Sequence, residues 1–333
     1  MPGTRQPSFP AGDGLLRWLI QHAAKAPSVR NSQPWRFRIA GDSIEFLADR
    51  SRALTVADPN HRELIISCGA ALNHLRVAAR EAGYEPVVDR NPGGGKSDLL
   101  ARVKPVPAGA TTDGDRALFA AMHTRCSQRV PFAAASPPWG LIQRLAQLGS
   151  DSTIDVRPIT DRTTILALAD LVRDAQARQY RTAAYRSEVA RWSRNNGSQQ
   201  RDGLPGYATG LNRNQSIAGP AVLRRFGALG PPNYFDGDLA PQAPLLVVLA
   251  TDRDAPSDWL QAGETLSELL LRLTAAGLSA SFLNQPIEVT QLRWTLRSML
   301  GLAGFPQVML RVGYASAPPL HTPRRRTDQV IER

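Results

Sequence analysis

Hydrophobic positions in residues 14–25 recur at the spacing of a helix. Leu15, Leu16, Leu19, Ile20 and Ala23 would form one buried stripe. The period then changes to two. Trp35, Phe37 and Ile39 alternate with Arg36 and Arg38, a Gly41-Asp42 turn follows, and a second strand is expected over 44–47, so the pair reads as a hairpin. Asp58-Pro59 puts proline at the first position of a helix running through Leu64, Ile65, Cys68, Ala71, Leu72, Leu75 and Ala79 to Gly83. Strands are expected at 85–88 and 99–106, and a Pro/Gly/Thr stretch over 105–114 reads as a linker. Beyond it the pattern gives helices at 116–123 and 137–148, a strand at 153–156 and one long helix at 162–192. Residues 193–242 lose periodicity. So long an irregular stretch within a compact domain reads as a lid or an insertion. A strand (245–250), a helix (259–276), a strand (279–283), a helix (289–300) and a strand (307–312) close the pattern, and a Pro- and Arg-rich tail follows.

One internal echo stands out. Gly69-x-x-Leu72-x-x-Leu75 leads to Ala82-Gly83, and Gly263-x-x-Leu266-x-x-Leu269 leads to Ala276-Gly277, with each pair 194 residues apart. An Asp-Arg pair precedes each helix, Asp49-Arg50 and Asp252-Arg253. The echo is either a chance likeness between leucine-rich helices or a duplication, and the matching order of elements around it speaks for duplication.

Composition narrows the class. The 333 residues are 42% hydrophobic and 21% charged, as in a soluble globular protein, and no apolar run is long enough to span a bilayer. No secretory leader pattern opens the chain. Two cysteines, Cys68 and Cys126, show no disulfide framework, which points to a reducing cytoplasm. The net charge of +11 comes almost wholly from arginines spread along the chain, Lys25, Lys96 and Lys104 being the only lysines. That spread argues against nucleic-acid binding, while local arginine clusters can hold phosphate.

Candidate chemistry lies in few places. Two prolines in Ala26-Pro27-Ser28-Val29-Arg30-Asn31-Ser32-Gln33-Pro34-Trp35 should hold an extended loop. Ser28, Asn31, Ser32 and Gln33 there can each donate and accept hydrogen bonds, as a planar ligand edged with carbonyls and ring nitrogens needs. An ordinary helix-to-strand connection would have similar composition. Arg125-x-Ser127-x-Arg129 puts two guanidinium forks and a hydroxyl on one side of an extended segment, fit for a terminal phosphate or for a solvated turn. Thr322-Pro323-Arg324-Arg325-Arg326 is a second arginine cluster. Gly93-Gly94-Gly95-Lys96-Ser97 departs from a phosphate-binding loop because Arg90 stands where the first glycine belongs. His22, His61, His74, His123 and His321 have no metal-ligand spacing, no serine sits in a nucleophile elbow, and the carboxylates look scattered without a paired set.

These motifs, in this order, resemble the nitroreductase family of flavoproteins, in particular its actinobacterial Acg-like branch. The 26–35 run, Asp58-Pro59 with Arg62-Glu63, Ser67-Cys68-Gly69-Ala70-Ala71-Leu72, Arg125 to Phe132, Gln285-Pro286, Arg311-Val312-Gly313-Tyr314 and Thr322-Pro323-Arg324-Arg325 carry the resemblance along almost the whole chain. It implies an α+β nitroreductase fold, internally duplicated as a fused pseudo-dimer, with mixed or antiparallel sheets flanked by helices. The division would be a flexible tail (1–12), a first half (13–110) and a second half (111–333) that includes the lid-like insertion 193–242. It implies one flavin mononucleotide (FMN) site: Pro27, Ser28 and Asn31 near the isoalloxazine, Arg125, Ser127 and Arg129 on the phosphate, Arg324 and Arg326 as helpers. Ser281, Phe282 and Leu283 would lie near the ring edge that exposes N5. The implied reaction is hydride transfer from NAD(P)H through flavin N5 to a nitroaromatic or quinone-like acceptor, with no catalytic side chain and no metal. The alternative is a flavin store whose lid covers the ring. A single-chain pseudo-dimer could work as a monomer, with a small-molecule electron acceptor as its partner and neither nucleic acid nor membrane involved.

Overall fold

The computed structural model describes residues 9–94, 97–149, 153–226, 236–317 and 320–332. The glycine-lysine part of the 93–97 motif (Gly95 and Lys96), most of the expected N-terminal tail and residues 227–235 of the expected lid lie outside them. The first half runs α1 (Asp13–Ala23), β1 (Trp35–Ala40), β2 (Ser43–Ala48), α2 (Arg62–Glu81), β3 (Tyr84–Arg90) and β4 (Leu99–Pro107). Gly41, at φ +61°, makes the tight β1–β2 turn that a side chain would strain. Helix α2 begins three residues after Pro59, because residues 58–61 form a turn ending at His61 in the left-handed region. The Asp58 carboxylate still caps it from outside, accepting from the Leu64 amide at 2.9 Å.

The second half contains α3 (Asp113–Thr124), α4 (Trp139–Ala146), β5 (Ile154–Ile159), α5 (Arg162–Arg181), α6 (Ala183–Arg191) and the two-residue strands β6 (Ser193–Arg194) and β7 (Leu204–Pro205). It continues with α7 (Arg213–Phe226), α8 (Asp236–Leu239), β8 (Leu245–Thr251), α9 (Pro256–Ala275), β9 (Ser279–Phe282), α10 (Gln285–Glu288), α11 (Thr290–Met299) and β10 (Phe305–Gly313). Two expectations need correction. The helix expected over 162–192 breaks at Thr182, whose extended ψ of 120° turns the chain between α5 and α6. The stretch 193–242 is not irregular throughout: α7 and α8 lie within it.

The two halves repeat one topology. The first sheet has the order β1-β2-β4-β3 and the second β5-β8-β10-β9, every pairing antiparallel, each with its long helix between the second and third strands in sequence. Those helices, α2 and α9, cross backbone to backbone. A Cβ on Gly69 would lie 2.0 Å from the Leu260 carbonyl oxygen, and one on Gly263 would lie 2.1 Å from that of Ile66. Each contact is the other with the halves exchanged, since Ile66 and Leu260 are again 194 residues apart, so a local twofold axis passes between the two glycines. Asn73 donates to Ser267 across the same axis at 3.1 Å, with the same separation. The sequence echo is therefore the central helix pair, and one hydrophobic core runs through both halves from Leu19 and Phe46 to Leu249 and Leu310.

The chain end returns to the first half. The Phe37 amide donates to Val330 at 2.8 Å and the Glu332 amide donates to Phe37 at 2.7 Å, so the tail covers the free edge of β1. Nothing in the tail's proline- and arginine-rich composition announces this pairing.

Candidate functional site

A cavity of about 300 Å3 lies where the first half meets the second. Its walls come from the loop after α1, the start of α2, the segment after α3, the β9–α10 turn, the tail near Arg324, and Leu204 and Asp236 of the 193–242 stretch.

The loop after α1 is not extended. Residues 29–31 make a 3-10 turn, and Arg30, Asn31 and Gln33 have φ of 45°, 56° and 52°. Left-handed non-glycine residues cost about 1–3 kcal/mol each, so surrounding contacts must hold them. Ser28 Oγ accepts from the Gln33 amide at 2.9 Å and Ser67 Oγ accepts from the Val29 amide at 3.1 Å. Asn31 Nδ2 donates to the carbonyls of Gly203 and Pro323, both at 3.0 Å, while its Oδ1 accepts from Arg324 at 2.9 Å. Gln33 Nε2 donates to Arg201 O at 2.7 Å. The polar groups expected to face a ligand mostly build the loop instead. Pro27, Ser28 and Asn31 nevertheless line the cavity.

The segment after α3 runs alongside β9, with Ser127 bridged to Ala280 and the Gln128 amide donating to Ala280 O at 3.0 Å. Alternation then sends Arg125, Ser127 and Arg129 into the cavity. Beneath it the fully buried Arg311 donates to Gln128 O at 2.6 Å and Val130 O at 3.0 Å, with its guanidinium 4.5 Å from the Phe132 ring centre.

Arg125, Arg129 and Arg324 therefore all line the cavity, with Arg125 near enough to both of the others for their charges to repel. No ion pair engages any of the three among the described residues, and the buried Arg125 Nε has no hydrogen-bond partner. Burial pushes Arg125 down to about 10, and burial followed by the neighbouring Arg125 charge pushes Arg324 down to about 9. Burial also lowers Arg129, although Asp236 works against it. These cations are crowded and dehydrated, so a bound anion would favour their charge. A phosphate fits the donor set, and Pro27, Ile66, Ala70, Leu266, Phe282 and Val308 offer apolar wall to a flat ring.

Two expected residues sit elsewhere. The Leu283 side chain is fully buried in the second hydrophobic core, beside Met309 and Ile287, while Ser281 and Phe282 reach the cavity. Arg326 is exposed and paired with Asp328 at 3.2 Å. One set was missed: Glu63, Glu288 and Asp236 line the cavity together. Burial, then repulsion by Glu288, pushes Glu63 up to about 8, and burial raises Glu288 and Asp236. In sequence these three stand far apart, and only the Arg62-Glu63 match hinted at one of them. No His, Cys, Asp and Glu cluster able to hold a metal occurs among the described residues. No helix among them is long and apolar enough to cross a membrane.

Fold and cavity together define an internally duplicated α+β protein with a split, arginine-lined cavity. No family model matches the chain. "Putative NAD(P)H nitroreductase Rv3131" of Mycobacterium tuberculosis is 32% identical over 99% of this chain and 94% of its own. "Putative NAD(P)H nitroreductase acg" of the same organism is 30% identical over 95% of each. The chain belongs to this NAD(P)H nitroreductase family. Among solved structures, the FMN-dependent nitroreductase NfnB from Mycobacterium smegmatis in complex with NADPH is 15% identical, with a TM-score of 0.42 over 65% of this chain and 97% of that one. Iodotyrosine deiodinase bound to FMN and 3-iodo-L-tyrosine is 14% identical, with a TM-score of 0.42 over 63% of this chain and 95% of that one.

Proposed function

We propose that the cavity binds FMN and that the chain is an NAD(P)H-dependent oxidoreductase reducing nitroaromatic or quinone-like acceptors. The observation that carries this reading is the gathering of Arg125, Arg129 and Arg324, without an ion-pair partner among the described residues, in the lining of a cavity with apolar walls. Arg125, Ser127, Arg129 and Arg324 would hold the phosphate. Pro27, Ser28, Asn31, Ser281 and Phe282 would border the ring. The cofactor would supply the hydride chemistry, and the protein its binding and polarity. The relatives named as NAD(P)H nitroreductases support the reductant. The volume sits at the lower end of the roughly 300–1,000 Å3 of small-molecule sites.

In this reading the chain is a fused pseudo-dimer of a first half (13–110) and a second half (111–333), able to act as a monomer, and it retains one site. Across the local axis Ala70, in the cavity wall, corresponds to Glu264. That side chain is buried and takes Arg76 at 2.7 Å and Arg90 at 2.9 Å, so the equivalent wall position is filled by ion pairs. Two free cysteines agree with a cytoplasmic setting.

In this reading the described residues of the 193–242 stretch act as a lid. Asp202 pairs with Arg52 and Arg194, and Arg201 and Gly203 are tied to Gln33 and Asn31. That latch favours a second reading, a flavin store closed to nicotinamide. Purified protein should carry the absorbance of oxidised flavin, and anaerobic NADPH or NADH should bleach it. Bleaching by neither would leave the store, and a colourless protein that takes up no added FMN would end both readings.

A further inference from the structure

The cavity is lined by charges of both signs. Besides Arg125, Arg129 and Arg324, its lining carries the carboxyl groups of Glu63, Glu288 and Asp236, with Asp236 beside Arg129 and Arg30 beside Glu288. Glu63 stands at the start of α2, buried, its Oε1 accepting from Arg62 at 3.0 Å and from Asn284 at 2.9 Å. Its Oε2 has no hydrogen bond among the described residues, although the residue lines the cavity. Glu288 on α10 accepts from Gln179 through Oε2 at 2.5 Å and likewise leaves Oε1 without one among the described residues. Glu288 also lines a second cavity of about 220 Å3, between Pro59, Trp294 and Phe305, and among the described residues it is the one side chain common to both linings. Trp294, on the rim of that second cavity, is half exposed. Of the polar groups there, Arg293 and Asp254 are paired with each other.

We propose that Glu63 and Glu288 share one proton, that Glu63 delivers it to the electron acceptor in the main cavity, and that Glu288 restores it from the second cavity. The proposal rests on the flavin reading above for its reaction but not for its shared proton. The balance is simple. A cofactor held in the cavity would supply the hydride, and a quinone acceptor would then be left as a hydroquinone anion in need of one proton. The O–H bond of Glu63 breaks as the new O–H bond forms on the quinone oxygen, leaving neutral hydroquinone and a Glu63 carboxylate. Glu288 then returns a proton to Glu63.

The surroundings favour one proton held between the two. Two carboxylates that line one cavity and repel each other cannot both be charged cheaply. Glu63 faces Arg62 and Asp58 from its own helix and the turn before it, and Glu288 from α10. Glu288 faces Arg30 from the loop after α1, together with Arg62 and Asp58. Tyr180 of α5 and Tyr185 of α6 close the same side. Arg62 and Arg30 are enough cation to hold one of the two charged, and the other stays protonated.

The test has two arms. Infrared titration of the purified protein, with or without flavin, should show a protonated-carboxyl band at pH 7 that is half lost near pH 8 and is lost or displaced in Glu63→Gln and Glu288→Gln. Absence of that band in the unmodified protein, which needs no variant to fold, overturns the shared proton. In the flavin-loaded enzyme, Glu63→Gln should slow single-turnover reduction of a benzoquinone by roughly 100-fold, the lower end of general acid catalysis. Rates are compared at equal flavin loading, so that the quinone step is read by itself. Glu288→Gln should slow steady turnover more than the first turnover. Unchanged quinone reduction in Glu63→Gln overturns the relay while the flavin reading stands. A protein that binds no FMN overturns the flavin reading, and the infrared arm still decides the shared proton.

Discussion

Replacing Arg125 with methionine should weaken FMN binding without weakening the fold, an unusual pairing for a buried residue. Arg125 is only 8% exposed, its Nε has no partner, and burial holds its guanidinium near 10. At pH 7 the side chain is still charged, so the folded protein carries a dehydrated cation at a cost of roughly 3 kcal/mol relative to one in water. Methionine fills most of the space and removes that cost, as when buried ionic groups are exchanged for apolar ones of similar size. The flavin-free variant should therefore melt no lower than the parent, and roughly a few degrees higher. With FMN the sign reverses. A charge-assisted phosphate contact contributes about 1.5–3 kcal/mol, so affinity should fall by about 10- to 150-fold. Equilibrium dialysis or flavin fluorescence gives the affinity, and calorimetry of the flavin-free form gives the stability. A variant that melts lower yet keeps its flavin would refute the reasoning, because Arg125 would then be a structural residue.

Four further outcomes follow from the same geometry. Alanine at Gly69 or Gly263 would drive a Cβ into a carbonyl oxygen at 2.0 or 2.1 Å, so each should lower unfolding stability by about 3 kcal/mol or more, and to a similar extent; denaturant midpoints that barely move would contradict the backbone-contact crossing. Glu63 is raised to about 8, so between the ordinary glutamate range and pH 8 the folded state binds the extra proton and stability falls as pH rises. Glu63→Gln should flatten that decline in urea midpoints measured from pH 5 to 8, and an unchanged slope would count against it. Asp202→Asn removes the shared partner of Arg52 and Arg194 and should speed both flavin release and its reduction by small reagents such as dithionite, with equal rates arguing against a latch. Arg326→Ala, on an exposed side chain paired with Asp328, should leave flavin retention unchanged, and a loss would return Arg326 to the phosphate.

Much of this architecture was legible in the chain because local periodicity encoded it. The β1–β2 hairpin, the stripe of α2 and the strand–helix–strand run from β8 to β9 follow directly from their apolar spacing. The echo at 194 residues was legible too, since a helix crossing this close demands glycine at the same point of both helices. What escaped depends on contacts between distant residues. Thr182 breaks a helix without proline or glycine, and α6 and α7 pack on Leu54 and Ala57 of the first half. The turn at Arg30, Asn31 and Gln33 is held by carbonyls from residues 201, 203 and 323, so two prolines alone misled toward an extended loop. The carboxyl set needed α2, α8 and α10 to be brought together before it could be seen.

The duplication explains why a single cavity can draw different groups from the two halves. In a dimer of identical chains, a residue placed at one site is placed at both, so Ala70 and Glu264 could not differ. A single chain that carries both halves is free of that constraint. One copy of the wall position keeps a small side chain and an open cavity, and the other carries a buried carboxylate gripped by Arg76 and Arg90. The same freedom lets the arginines come from the second half and the Glu63 carboxyl from the first, with no second copy to burden. A filled site is also cheaper than an empty one, because an unused cavity forfeits packing on every wall. Restoring space there should therefore cost stability: Glu264→Ala would take the carboxylate from half-buried Arg76 and exposed Arg90 and reopen the wall, and unfolding free energy should fall by about 1–3 kcal/mol. A variant as stable as the parent would mean that the ion pairs merely decorate a position that was never a site.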